Sequence, residues 1–192
     1  RDSVASRGLG DVYKRQYNAT KFALMNGARV GELPARETLT DADRWILDRL
    51  EEVRQLVDDA LDRYEFSLAN ENLYRFAWGE FCDWYLEIAK VQIPRDWDSA
   101  TEAQVQRGIS TQIVLGRVLD AVLRLLHPAM PFVTETLWKA LTDGEEGYSD
   151  SLVTAEWPTA DLTNGGVQTD ADAVRRMAVS YTHLTLPTTP YV

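Results

Sequence analysis

Between residues 17 and 178 the chain carries a single histidine, His127, directly before Pro128, and a single cysteine, Cys82. A zinc cluster needs several such ligands, and a di-metal bundle needs paired Glu-x-x-His repeats, so neither can be assembled. Ser-His or Cys-His catalysis would require His127 to reach a nucleophile, and no signature of that chemistry surrounds it. Its place at a helix break suits packing, or capping of the last helix carbonyls. A glycine-rich phosphate loop is missing. Glu80, Asp83 and Glu87 share an edge with Lys90. That grouping reads as a solvated face laced by i,i+4 pairs, because a carboxylate pair doing acid–base work would want a pocket and a partner base. These residues assign no catalytic group, no metal and no cofactor to the stretch.

Aromatic surface is the chemistry that remains. Trp78, Phe81, Trp84 and Tyr85 crowd one short run, with Tyr74 just before it. On a wheel of about 100° per residue, these rings with Leu73, Ala77, Ile88 and Val91 cover about half the circumference. A bundle helix normally needs a narrower stripe. Packing against two neighbours explains the width; the other reading leaves part of this edge wet and facing RNA. Leu86 falls outside the arc, about 40° beyond Cys82 and beside Asn72, Arg75 and Gly79. It is either a docking spot for a base or a scattered surface leucine of the ordinary kind.

Helices must position these groups. The first ends near Asn26 and is stopped by Gly27, after which Gly31 and Pro34 mark a connecting loop. Thr40 with Asp43 resembles a capping box. The helix it opens bears Ile46, Leu50, Val53, Val57, Leu61 and Tyr64 as one apolar stripe, with Asp48, Glu51, Glu52, Asp58 and Asp62 mostly elsewhere. Ser67 is placed to cap the next helix, running to about Val91. A third spans about Glu102 to Leu126, with Ile109, Ile113, Val118, Val122 and Leu125 inward. Pro131 suits the first turn of a fourth. Residues 151–157 read as a short extended segment laid across the others. The predicted fold is all-α, an antiparallel helical bundle with a short extended C-terminal segment.

The chain has 192 residues and a formal net charge of −10. Such acidity offers phosphates few partners, so any contact with nucleic acid has to be local. One cysteine permits no internal disulfide and suits a reducing compartment. No apolar run is long enough to span a membrane. Both ends read differently from the middle. Residues 6–16 and 179–184 back-translate to transposon-type sequencing adapters, the second opening on the reverse complement of the bases that end the first. Residues 1–16 and 179–192 are therefore expected to be non-native tails, and residues 17–178 an internal piece of a longer protein.

Several runs resemble the anticodon-binding domain of class I aminoacyl-tRNA synthetases, most closely the valyl branch. They are Tyr17-Asn18-Ala19-Thr20-Lys21-Phe22, Asp43-Arg44-Trp45-Ile46-Leu47, and Trp78-Gly79-Glu80-Phe81-Cys82-Asp83-Trp84-Tyr85-Leu86-Glu87. His127-Pro128 through Pro131-Phe132, then Glu135, Trp138 and Glu156-Trp157-Pro158, complete the set. The His-Pro-x-Met-Pro-Phe segment is common to several branches, whereas Glu80 to Glu87 is more particular to the valyl one. The resemblance implies a parent that activates valine with ATP and transfers it to tRNA(Val), with an editing domain against threonine. It places the His-Ile-Gly-His and Lys-Met-Ser-Lys-Ser signatures before Tyr17 and a coiled-coil arm after Ala178. It also implies that Phe22 and Leu86 lie against anticodon bases, with Lys21, Arg75, Lys90 and Arg29 as phosphate partners. Residues 17–39 would then link the catalytic core to an anticodon-binding domain at 40–158, and 159–178 would be a linker. The implied compartment is the cytoplasm, and the rest of the synthetase is the partner in cis. Two alternatives stay open: the isoleucyl or leucyl branch, and a non-catalytic helical bundle that uses its aromatic helix for protein contact.

Overall fold

The computed structural model describes residues 17–143, 147–166, 170, 172 and 175–177, and both expected tails lie outside them. The first helix, α1, covers 17–25 in its described part. Gly27, at φ +78°, closes it: Gly27 N–H donates to Leu24 O and Ala28 N–H to Ala23 O. This is the Schellman arrangement, which calls for a residue free to adopt positive φ. After a 3₁₀ turn at Arg36–Thr38 comes α2, Asp41–Asp62. Its capping box is formed by Thr40 and Asp43.

Ile46, Leu50, Val53 and Val57 of α2 are buried as their spacing predicts, but Tyr64 is not. The helix stops at Asp62, and Tyr64 turns the chain with φ at 59° and its ring exposed. Carboxylates of α2 are covered too. Asp43, Asp48 and Glu51 are buried, each engaged by a residue from far along the chain. Tyr85 Oη donates to Asp43, an Arg36 guanidinium N–H to Asp48 at 2.5 Å, and the Thr163 hydroxyl to Glu51.

The rod predicted to follow is present but is not uniformly α-helical. It consists of α3 (Phe66–Arg75), a π-helical segment (Phe76–Tyr85) and α4 (Leu86–Gln92). Glu65 holds the N-cap position without a side-chain bond, so Ser67 does not cap it. Helix α5 runs Glu102–Leu126 from a Thr101–Gln104 capping box, and α6 runs Pro131–Thr142 with its proline in the first turn. Ile109 and Ile113 are only half-buried, while Val114 and Leu115 are fully enclosed. The inward face is turned toward α2 and the rod, because α5 is central and touches several helices at once. His127 meets Thr134 across the break, Nδ1 to Oγ1 at 2.8 Å, and the Thr134 hydroxyl donates onward to Met130 O.

Helices α2, α5, α6 and the rod enclose one core, and among the described residues there is no strand. Leu152–Thr154 forms a 3₁₀ turn, and the irregular residues after it cross the bundle. Leu152 N–H donates to Glu135 and Trp157 Nε1–H to Asp58. Residues 160–164, expected as linker, form the short helix α7 packed on α2, with Thr163 and Asn164 buried. The Thr163 hydroxyl adds a donor to the buried Glu51 carboxylate, which also accepts from Arg54 and Gln55. No described helix is long and apolar enough to cross a membrane.

Candidate nucleic-acid interface

An open groove of about 380 Å³ runs between α1 and the rod, lined by Phe22 from α1 and by Leu86 from the rod. Asn18 and Ala19 belong to the α1 wall. Asn18 and Phe22 are four residues apart and so share one helix face. Trp78, Cys82, Leu86 and Lys90 supply the other wall, again at four-residue steps. In an α-helix such a series drifts by about 40° per step. The i→i+5 bonding of a π segment puts more than four residues in each turn, so the drift reverses there. Across the Phe76–Leu86 junction the two tendencies oppose each other, and the series stays in one column facing α1.

The π turns also decide the fate of Leu86, and they correct the wheel. A uniform α-helix throws Leu86 past Cys82 to the polar side. In the structure it is 5% exposed and belongs to the core, while still lining the groove. It is the apolar floor of the groove rather than a side chain standing in solvent. Phe22 is half-buried and presents part of its ring. Lys90 Nζ lies 4.9 Å from the Phe22 centroid, within cation–π range. Lys90 also pairs with Glu87 on the same rim.

Phe22, Leu86 and Lys90 are thus brought together, and three other candidates are not. Lys21 and Arg29 are exposed but outside the groove lining. Arg75 is exposed near the end of α3 and pairs with Glu71 at 3.1 Å. The acidic edge divides as well. Glu80 turns to α2 and accepts two bonds from Arg49, at 2.7 and 2.9 Å, whereas Asp83 and Glu87 line the groove. Among the described residues no group of three or more His, Cys, Asp or Glu side chains could hold a metal ion.

Trp78 and Cys82 were not singled out as groove residues from the sequence, although the four-residue series through Leu86 and Lys90 would have found them. Trp78 is buried, stacks on Tyr74 at 4.6 Å between centroids, and has no hydrogen-bond partner for its Nε1–H among the described residues. Phe76, Phe81 and Tyr85 are buried with it. Four of the rings that a protein-contact surface would need are therefore in the core.

Residues 43–181 match the sequence profile of the anticodon-binding domain of tRNA ligase. Valine–tRNA ligases are among the proteins similar to the chain. That of Corynebacterium jeikeium is 96% identical over 174 residues, 91% of this chain and 19% of the relative. Those of Corynebacterium diphtheriae and Corynebacterium efficiens are 73% and 68% identical over 162 residues, in both cases 84% of this chain and 17% of the relative. The chain thus spans less than a fifth of the length of these curated relatives. The profile covers most of the sequence, from α2 onward and including the rod though not α1, so the chain belongs to the anticodon-binding domain family of tRNA ligases.

Proposed function

We propose that this chain supplies the anticodon-reading surface of a valine–tRNA ligase, whose other parts activate valine with ATP and transfer it to tRNA(Val). The observation that carries this reading is that Phe22 and Leu86 line one open groove, Phe22 on its side and Leu86 at its apolar floor. The half-buried Phe22 ring offers a face to a base, a contact worth about 1–3 kcal/mol. Leu86 closes the space beneath it. Lys90, on the rim, can turn from Glu87 to a phosphate, a contact that positions the strand without reading it. The names of the relatives favour valine over isoleucine or leucine. The remainder of the ligase is the partner in cis, and the cytoplasm is the compartment that suits tRNA charging. ATP chemistry is assigned to none of the described residues.

The test is Phe22→Ala in the full-length ligase. Charging of tRNA(Val) should fall about 5- to 150-fold in kcat/KM, while valine-dependent ATP–pyrophosphate exchange persists. Equal charging by variant and wild type would sink the proposal. Cys82, a groove residue outside any disulfide, gives an independent readout. Bound tRNA(Val) should slow its alkylation, and an unchanged alkylation rate under saturating tRNA counts against the groove.

A further inference from the structure

Resting on that reading, we propose that the connection between α4 and α5 is a second nucleotide seat, with Trp97 as its stacking face and Arg95 and Arg107 as its phosphate partners. Charge pairing is the first observation. In a chain of net charge −10, most described arginines are held by carboxylates, among them Arg36, Arg44, Arg49, Arg54, Arg63, Arg75 and Arg124. Arg95 and Arg107 make no such pair among the described residues, and both are exposed. They line one depression of about 240 Å³, together with Gln104. Asp96 lies there too, but its carboxylate accepts from Asp98 N–H and the Ser99 hydroxyl, within its own loop.

The second observation is the seating of Trp97. Trp97 is 38% exposed as a residue, yet its ring rests against Gly108 of α5. A Cβ at Gly108 would come within 2.6 Å of Pro94 Cδ and 2.9 Å of Trp97 Cη2. The ring is therefore held by close approach to a helix backbone, which fixes the orientation of its free surface. That surface borders a depression of about 520 Å³ lined also by Met25, Lys90, Arg95 and Gln112.

Shared residues join these spaces into a track. Lys90 belongs both to the Phe22–Leu86 groove and to the Trp97 depression, and Arg95 belongs to the Trp97 and Arg107 depressions. Cations set along a path beside aromatic faces, as Lys90, Arg95 and Arg107 are here beside Phe22 and Trp97, are how proteins hold a single strand, base on ring and phosphate on guanidinium. The occupant is the nucleotide next to the one at Phe22, on the same RNA strand.

The experiment measures binding of a fluorescent tRNA(Val) anticodon hairpin to the 192-residue chain, by anisotropy, over a range of salt concentrations. Arg95→Gln with Arg107→Gln should flatten the slope of log K against log salt by about 1.4, since each single-strand phosphate left without its arginine removes roughly 0.7. Trp97→Leu should weaken binding about 5- to 150-fold and Trp97→Phe should restore most of it. Where a thermal melt shows that Trp97→Leu has loosened the fold, the surface arginine pair decides alone. Phe22→Ala separates the two readings. If it weakens binding while the Arg95, Arg107 and Trp97 variants bind as wild type with an unchanged slope, the second seat is wrong and the groove stands. If the wild-type chain fails to bind the hairpin, both are overturned.

Discussion

Tyr85 Oη donates a 2.5 Å hydrogen bond to Asp43 Oδ1, joining the last residue of the π segment to the first turn of α2 across 42 positions of sequence. Asp43 also accepts from the Thr40 amide and hydroxyl, so one buried carboxylate holds both the helix start and the rod. Burial raises its pKa above the ordinary 3.8, against the pull of the Tyr85 and Thr40 bonds. A carboxyl with a raised folded pKa costs stability above that pKa, and the cost vanishes as pH falls through it toward 3.8. Asp43→Asn keeps an acceptor for Tyr85 and removes the charge. Its stability relative to wild type should therefore be greater at about pH 7 than at about pH 4.5 in urea unfolding. A gap independent of pH would reject this account of Asp43.

Glu51 should behave with the opposite sign. Burial alone would raise its pKa, but hydrogen bonds from Arg54, Thr163 and Gln55 outweigh it, and the net value lies below the ordinary 4.5. Its contribution is present above 4.5 and is lost as pH falls through the lower folded value. Glu51→Gln should cost about 1.5–3 kcal/mol at neutral pH. That difference from wild type should narrow in the acid limb of the same urea series. The variant should also loosen α7, read as faster hydrogen exchange at Thr163, whose N–H bonds to Thr159 O.

Leu86 tests the π segment through packing. Buried at 5% exposure, it should lose about 2–5 kcal/mol on change to Ala. Leu86→Met, close in volume, should cost less than about 1.5 kcal/mol. A near-zero effect of Leu86→Ala on the urea midpoint would return the residue to the surface, where a uniform α-helix puts it. Charging defects of Leu86→Ala therefore need comparison with Leu86→Met before they report on a base contact.

Gly116 carries the attachment of α1 and its following loop to α5. A Cβ there would collide with the Arg29 backbone carbonyl, and backbone cannot yield as a flexible side chain can. Gly116→Ala should destabilise by about 1–3 kcal/mol. It should also break the bond from Arg29 N–H to Gln112 O, 3.3 Å in the structure, and raise exchange at the Arg29 amide. Because Phe22 stands on α1, hairpin binding should weaken with it. Protection at Arg29 equal to wild type would show that the close approach at Gly116 is not limiting.

Local signals in the chain set where most of the helices begin and end. Gly27, the Thr40–Asp43 box and Pro131 act on backbone within a turn or two, so their effect is visible without knowing the rest of the fold. The resemblance of several runs to a family offered Phe22 and Leu86 as candidates. How the groove that holds both residues is built came from the folded chain. A wheel assumes a constant turn per residue, and the π segment between Phe76 and Tyr85 breaks that assumption, drawing Leu86 inward and aligning Trp78, Cys82 and Lys90 with it. The buried carboxylates were hidden for a second reason. Asp48 and Glu51 look like solvent-facing charges, and Asp43 like a capping residue only, until partners 12, 112 and 42 residues away fold onto them, and separations of that size leave no periodic trace in the chain.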